Sequence, residues 1–592
     1  MKTLRLIACL LMAAGVWAAQ PLRYALELTV RPERPEFSGV VRIAVRLDAA
    51  TQQLTLNAKD LTVTEAEVRL SGRRVAAHAS VLNPEEMRLE WPEPLGPGEA
   101  EVEIRYQGRI DEKAMEGPYR RQVDGQWYVF TTFTAIEARR AIPCFDEPRF
   151  KTPWQVTLHV RREHRAFSNA PLESEVEEAE GMKAVRFVET APLPSEIVAF
   201  AVGPFDTVNG PDAGQQKVPV RVVTPQGRAE QGRYAADVTD RVMTGLERYT
   251  GIPYPFRKLD HLARAEGAFG AVENPGLINY QQSTLLAEPG KDSEQWRERL
   301  RQIMTHELAH QWFGNLVTQA GWEDVWLSEG FATWLAGVTM DAEHPAPEKN
   351  LAAVAARERI MGADAGPKAR PVRVPMRSRA ELNDVYSRVV YQKGAAVLLM
   401  LEGWHGAERF QRELQTYLKR RPYGTATTDD LAQVLDAGQT LHSFLDQPGV
   451  PAIQVKRKCA GGRGGLVVEQ AAGEAKWAVP VCWKSNSGKA CTLLTGATRE
   501  VELEACPAWV FANAGGTGYY RTVWTDEELA ALAEGGLAEL SAAERLTLVY
   551  DLKAGGQGRA LLALLARDAQ PRVAQAATEA LKAVKEPKQE KP

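Results

Sequence analysis

From about Tyr24 to Phe205 apolar and polar positions alternate in short runs, such as Val41-Arg42-Ile43-Ala44-Val45-Arg46-Leu47 and Val102-Glu103-Ile104-Arg105-Tyr106, with Pro, Gly and Asp turns between them. A period of two sends every second side chain to one face of a sheet, so residues 19–205 are predicted to form a β domain. From about Ala229 to Leu445 the period lengthens to that of a helix. Trp296, Leu300, Ile303 and Met304 share one face of a segment that Asp292 or Ser293 would cap and Gly314-Asn315 would end. Residues 206–450 are therefore expected to be mainly α-helical. Gly449-Val450-Pro451 marks a boundary, after which Ile453-Gln454-Val455, Trp477-Ala478-Val479-Pro480-Val481 and Trp509-Val510-Phe511 predict a small β unit over 451–524. The stretch from Asp526 to Val584 is rich in Ala and Leu, which makes 525–592 a short helical region, with Lys585–Pro592 as a charged tail expected to be disordered. The fold class is thus α+β and multidomain, as expected for 592 residues.

Composition narrows the setting. With 72 Lys and Arg against 76 Asp and Glu and no long basic run interleaved with aromatics, nucleic acid is not an expected partner. Lys2 and Arg5 precede an apolar run from Leu6 to Ala18 that ends in Val16-Trp17-Ala18, so residues 1–18 are predicted to be a signal peptide of an exported protein, periplasmic or secreted. A lipoprotein reading around Cys9 would leave almost no apolar segment before the cysteine. No later stretch resembles a transmembrane helix. Four of the remaining cysteines, Cys459, Cys482, Cys491 and Cys506, fall in one short region. An exported compartment lets them oxidise. Cys482 and Cys491 flank the turn-like Ser485-Asn486-Ser487-Gly488, which favours that pair, joins Cys459 to Cys506 and leaves Cys144 free.

The chemistry is concentrated in His306-Glu307-Leu308-Ala309-His310 and Glu329. Histidines four apart share a helix face and can grip one ion, and a second helix starting near Ser328 would return Glu329 as a third ligand. Two imidazoles and a carboxylate make an open zinc site, one Zn2+ per chain. Given nine His and 76 acidic residues, chance supplies on the order of 0.02 such pentapeptides. Glu307 points along another direction of the helix and can act as general base toward a metal-activated water. Asp324 could orient a ligand histidine, although an acidic residue before a helix is more often a cap.

The chain resembles the aminopeptidase N family of zinc metallopeptidases from about residue 130 to 524. The match rests on Pro143-Cys144-Phe145-Asp146-Glu147-Pro148, Gly270-Ala271-Val272-Glu273-Asn274, the segment His306 to Asn315, Trp326-Leu327-Ser328-Glu329-Gly330, Tyr391-Gln392-Lys393-Gly394 and Gly518-Tyr519-Tyr520-Arg521, in the family's order. The resemblance implies a thermolysin-like catalytic domain followed by a small β-sandwich, and peptide substrates with a free N-terminus. It also implies that Glu273 binds the substrate's α-ammonium among Gly270, Ala271 and Asn274, and that Tyr391 donates its phenolic hydrogen to the oxyanion. Tyr386 is a neighbouring alternative. Several positions depart from the family pattern: Thr132 and Thr134 stand where many relatives have a Gln or Glu pair, Val272 replaces the usual Met, Ser328 stands where Asn often precedes the third ligand, and Ala336 replaces a frequent carboxylate. Rival readings are an epoxide hydrolase, suggested by Tyr386 and Tyr391, an open-cleft peptidase of the same fold, and a non-catalytic peptide-binding or assembly protein.

Overall fold

The computed structural model describes residues 19–265, 267–287, 290, 292–343, 350–376, 379–382, 385–459, 464–471 and 477–584. The expected signal peptide and the charged tail from Lys585 lie outside the described residues. The chain divides into two compact units, one formed up to Asp206 with Arg264–Ala268, the other by Thr207–Ala263 and the chain from Phe269.

The first unit is the β-rich region that the alternation predicts. Its largest sheet has eight strands, and the long strands Glu36–Leu47 and Gly98–Arg109 pair antiparallel from Glu36 opposite Arg109 to Leu47 opposite Gly98. Val41, Ile43 and Val45 on one strand and Val102, Ile104 and Tyr106 on the other are all buried, as a period of two requires. Tyr24 stacks on Trp154 with ring centroids 3.9 Å apart, and its hydroxyl accepts the Phe145 N–H. In the Pro143–Pro148 stretch Asp146 is buried and accepts from Arg139 Nε at 2.8 Å and Ser195 Oγ at 2.7 Å, a tie within this unit.

The second unit opens with strands that the helical period did not reveal. Leu259–Arg264 lies parallel to Val220–Pro225 on one side and beside Leu277–Gln281 on the other, whose far edge takes Ala271–Val272 in antiparallel pairing. Every residue of Leu259–Arg264 is buried, so no alternation exists to be read. Its acidic member has internal partners: Arg221 and Lys258 both bind Asp260 at 2.8 Å.

Helix α1 (Arg233–Thr250) is followed by α2 (Glu294–Ala309) and α3 (Trp326–Glu343). The Ser293 hydroxyl caps α2 by accepting the Trp296 N–H. The helix ends at Ala309, earlier than Gly314-Asn315, because the chain continues in wide turns in which Asn315, Leu316 and Val317 N–H bond to the carbonyls of His310, Gln311 and Trp312. Next come α4 (Leu351–Asp364), a π-turn over Val389–Lys393 and α5 (Gly394–His405). Helices α3 and α5 cross backbone to backbone: a Cβ on Gly330 would lie 3.2 Å from Gly394 Cα, and one on Gly394 3.2 Å from Gly330 Cα. This contact brings the start of α3 and the π-turn together.

Two small sheets follow, of four and three strands. Cys482 pairs directly across a ladder with Cys491 and is disulfide-bonded to it, Cys459 is bonded to Cys506, and Cys144 is free and buried, as expected from the cysteine placement. The C-terminal helices, including Ala542–Gly555, share a core with α4 in which Leu351 and Val354 meet Leu546, Val549 and Leu552. Arg357 of α4, buried, also donates to Thr547 Oγ1 at 3.0 Å.

Gly330→Ala is expected to cost about 1–3 kcal/mol, since backbone cannot yield to the added methyl. Gly362→Ala, where an added Cβ meets nothing within 4 Å on an exposed helical position, should instead be neutral or stabilising by about 0.5–1 kcal/mol. Denaturant melts of the two variants check the contrast.

Candidate metal and substrate site

The end of α2, the wide turns after it and the first turn of α3 bring three donors together. His306 Nε2 and His310 Nε2 are 3.1 Å apart, and each is 3.4 Å from Glu329 Oε2. His306 and His310 are one helical turn apart, and α3, which begins two residues before Ser328, presents Glu329 to them. His310 and Glu329 are buried, while the His306 side chain keeps 21% of its surface accessible, so the group opens on one side.

The tautomer of His310 is dictated by its surroundings. Its Nδ1 is 2.8 Å from Ser328 Oγ and 3.3 Å from the Phe313 carbonyl, which can only accept, so Nδ1 carries hydrogen and Nε2 presents a lone pair toward His306 and Glu329. Two imidazole nitrogens and one carboxylate oxygen with one open side fit a catalytic zinc ion. The surrounding carboxylates favour a cation on Nε2 in place of a second proton: burial would lower the His310 pKa, but the field of Glu273, Glu329 and Glu307 outweighs it and lifts it to about 10. The pocket favours a positive charge at this point.

Glu307 is buried, and its carboxylate, that of Glu273 and a His310 ring nitrogen lie within 4.8 Å of one another. Glu273 reaches this place because its backbone is tied down: its carbonyl accepts from Gln311 Nε2 at 2.9 Å and Asn315 Nδ2 at 2.8 Å. Gln311 Nε2 also bonds the Glu307 carbonyl at 3.1 Å. Upstream, Ala271 pairs with Tyr280 and Val272 with Asn279, and the Gly270 carbonyl accepts from the Gln281 N–H. Asn274 is buried and its carbonyl accepts the Leu277 N–H, which turns the chain directly after Glu273. Burial in these surroundings raises the Glu273 pKa; Glu329 adds to the rise and His310 opposes it.

Tyr391, in the π-turn, lies near-parallel to the His306 ring with centroids 6.2 Å apart, and Glu329 is among the carboxylates whose charge acts on its hydroxyl. Burial and the neighbouring carboxylates push its pKa far above that of an ordinary phenol, so it keeps its proton and can donate it to a hydrogen bond. Tyr386 instead packs edge-on against Phe269 at 5.6 Å.

Asp324 does not orient a ligand histidine. It is buried and accepts from Arg373 Nε at 2.7 Å and Thr428 Oγ1 at 2.6 Å, and Ser328 holds His310 in its stead. The residues that sequence reasoning missed are Gln311 and Asn315. Their signal was available: Gln311 stands one helical turn after Glu307, on the side from which a long amide can reach a neighbouring backbone.

The family model of the peptidase M1 N-terminal domain matches residues 20–197, and that of the peptidase family M1 domain matches residues 234–447. Aminopeptidase M1-A of Oryza sativa subsp. japonica is 34% identical over 570 residues, covering 90% of this chain and 64% of the relative. Aminopeptidase M1 of Arabidopsis thaliana is 32% identical over 571 residues with the same coverage, and glutamyl aminopeptidase of Sus scrofa is 27% identical over 573 residues, covering 90% and 60%. The chain spans less than two thirds of the length of these relatives.

Removing the hydroxyl that fixes the His310 ring should loosen the cation site without deleting a donor. Ser328→Ala is expected to weaken zinc affinity by roughly 10–100-fold, measured by competition with a chromophoric chelator.

Proposed function

The chain belongs to peptidase family M1, the aminopeptidase N family, and on that premise we propose that it is a zinc-dependent aminopeptidase releasing N-terminal residues from peptides. In this reading residues 206–450 form the catalytic domain, and His306, His310 and Glu329 hold one zinc ion. Bound there, zinc would supply Lewis acidity, acidifying a water toward neutral pH and polarising the scissile carbonyl. Glu307 takes the proton of the attacking water and passes it to the leaving amine, a role its burial beside His310 supports. Tyr391 donates its hydrogen bond to the developing oxyanion, worth about 2.7–4 kcal/mol in the transition state. Gly270, Ala271 and Asn274 shape the wall beside the substrate's first residue.

The observation that carries the exopeptidase assignment is the Glu273 carboxylate within 4.8 Å of the Glu307 carboxylate and the His310 ring nitrogen. A fixed negative charge at that distance from the reacting centre recognises an α-ammonium and so measures one residue from the chain end, through a charge-assisted hydrogen bond of about 1.5–3 kcal/mol. The epoxide-hydrolase reading is not favoured, because the relatives named above are aminopeptidases. An exported location, periplasmic or secreted, is supported by the two disulfides. Among the described residues no helix is long and apolar enough to cross a membrane.

Glu307→Gln is expected to keep the metal and lose about 10²–10⁴-fold in turnover, because the amide retains the shape and cannot accept the proton; metal analysis and rate measured on one sample separate the two effects. Glu273→Ala should keep zinc and lose most cleavage of free-amine peptides, and the wild type should spare N-acetylated ones. Equal wild-type rates on free and acetylated peptides would exclude an aminopeptidase while leaving a zinc hydrolase.

A further inference from the structure

Two positions after Tyr391, the Lys393 ammonium is wholly buried against an equally buried carboxylate, Asp364 at the end of α4, with Nζ and Oδ2 2.8 Å apart. Both members of the pair have further partners. Tyr519 donates its hydroxyl to Asp364 Oδ2 at 2.9 Å, and the Gly449 N–H donates to Oδ1 at 3.0 Å. Lys393 donates to the Gln447 carbonyl at 3.1 Å and lies 5.6 and 5.8 Å from the ring centroids of Tyr519 and Trp477. A buried ion pair is seldom more stabilising than a packed apolar pair of the same volume, so stability alone gives no reason for it.

Its position supplies one. Val389–Lys393 is a π-turn, a wider and intrinsically poorer turn than an α-turn, which persists where its surroundings hold it. Tyr391 leaves the turn toward His306 and Glu329, and Lys393 leaves it toward Asp364. The next residue, Gly394, is set against Gly330 of α3. If the turn relaxed to α, one residue would be taken up and Tyr391 would rotate by about 100° relative to α5, away from the donor group.

We infer that Lys393 and Asp364 are positioning residues, a buried clamp that keeps Val389–Lys393 in its π-turn and so aims the Tyr391 hydroxyl at the reaction centre. The inference rests on the role given to Tyr391 above. Tyr519 completes the clamp by fixing the carboxylate.

The deciding variant is Lys393→Met combined with Asp364→Leu, which removes both charges at once so that neither is left buried without its counterion, although the Tyr519 hydroxyl, the Gly449 N–H and the Gln447 carbonyl each lose a partner. It is expected to fold, to retain zinc, to keep KM within about threefold and to lose about 100-fold in kcat. In a Tyr391→Phe background the same pair of substitutions should add less than about threefold, because there is no hydroxyl left to misplace. Unchanged kcat, or an equal loss in both backgrounds, overturns the clamp. A crystal structure of the variant gives a readout independent of activity: α-type hydrogen bonding over 389–393 with Tyr391 off the His306 ring is expected, and an intact π-turn overturns the inference. Should Tyr391→Phe itself leave kcat untouched, the function assigned to Tyr391 fails, and that crystal structure still decides the clamp. If the double variant does not fold, Tyr519→Phe carries the same cycle: a severalfold loss of kcat that vanishes in the Tyr391→Phe background is expected, and an equal loss in both overturns it.

Discussion

Folding of the second unit has to hold three carboxylates and two imidazoles within a few ångströms of one another, against desolvation and mutual repulsion. Glu273, Glu307 and Glu329 all act on His310, and their combined field is strong enough to reverse the effect of burial on that histidine. Such a cluster does not assemble by attraction among its own members. It is imposed by backbone that is held elsewhere: the glycine crossing of α3 and α5, the Asn279 and Tyr280 ladder, and the amides of Gln311 and Asn315.

The supporting contacts share a feature. Ser328 on His310 and the two amides on the Glu273 carbonyl are neutral hydrogen-bonding groups. A neutral partner orients a ligand or a backbone segment without adding charge to a pocket already rich in carboxylates. The charged supports, Asp324 with Arg373 and Asp364 with Lys393, are paired within themselves and stand back from the donor group. Two kinds of polar contact therefore do separate jobs, one setting direction at the site and the other holding the elements that bear it.

Much of this was legible along the chain because it is local. The β-rich first region follows from alternation, the Ser293 cap from a residue type that favours that position, and the pairing of Cys482 with Cys491 from a turn between two strand-like runs. His306, Glu307 and His310 follow from helical spacing. What misled was also local in appearance. The Leu259–Arg264 strand carries Asp260, His261 and Arg264 in a fully buried run, so neither alternation nor an apolar stretch marked it. The end of α2 was placed too late because wide turns after Ala309 have no compositional signature. Asp324 resembled a cap or an orienting carboxylate, and its partners Arg373 and Thr428 are 49 and 104 positions away.

The candidate donors, the candidate base and the family resemblance lay in the sequence alone, since two histidines four apart and a later glutamate are written along the chain whatever the detail of packing. Only the tertiary structure decided which neighbours direct those groups: that Ser328 rather than Asp324 holds the His310 ring, that Tyr391 faces His306, and that Lys393 is anchored to Asp364. The reason is the range of the forces. Helical period and turn chemistry act over a few residues and are written in order along the chain, whereas a hydrogen bond to a ring nitrogen or a buried ion pair joins positions whose proximity exists only after the elements have packed.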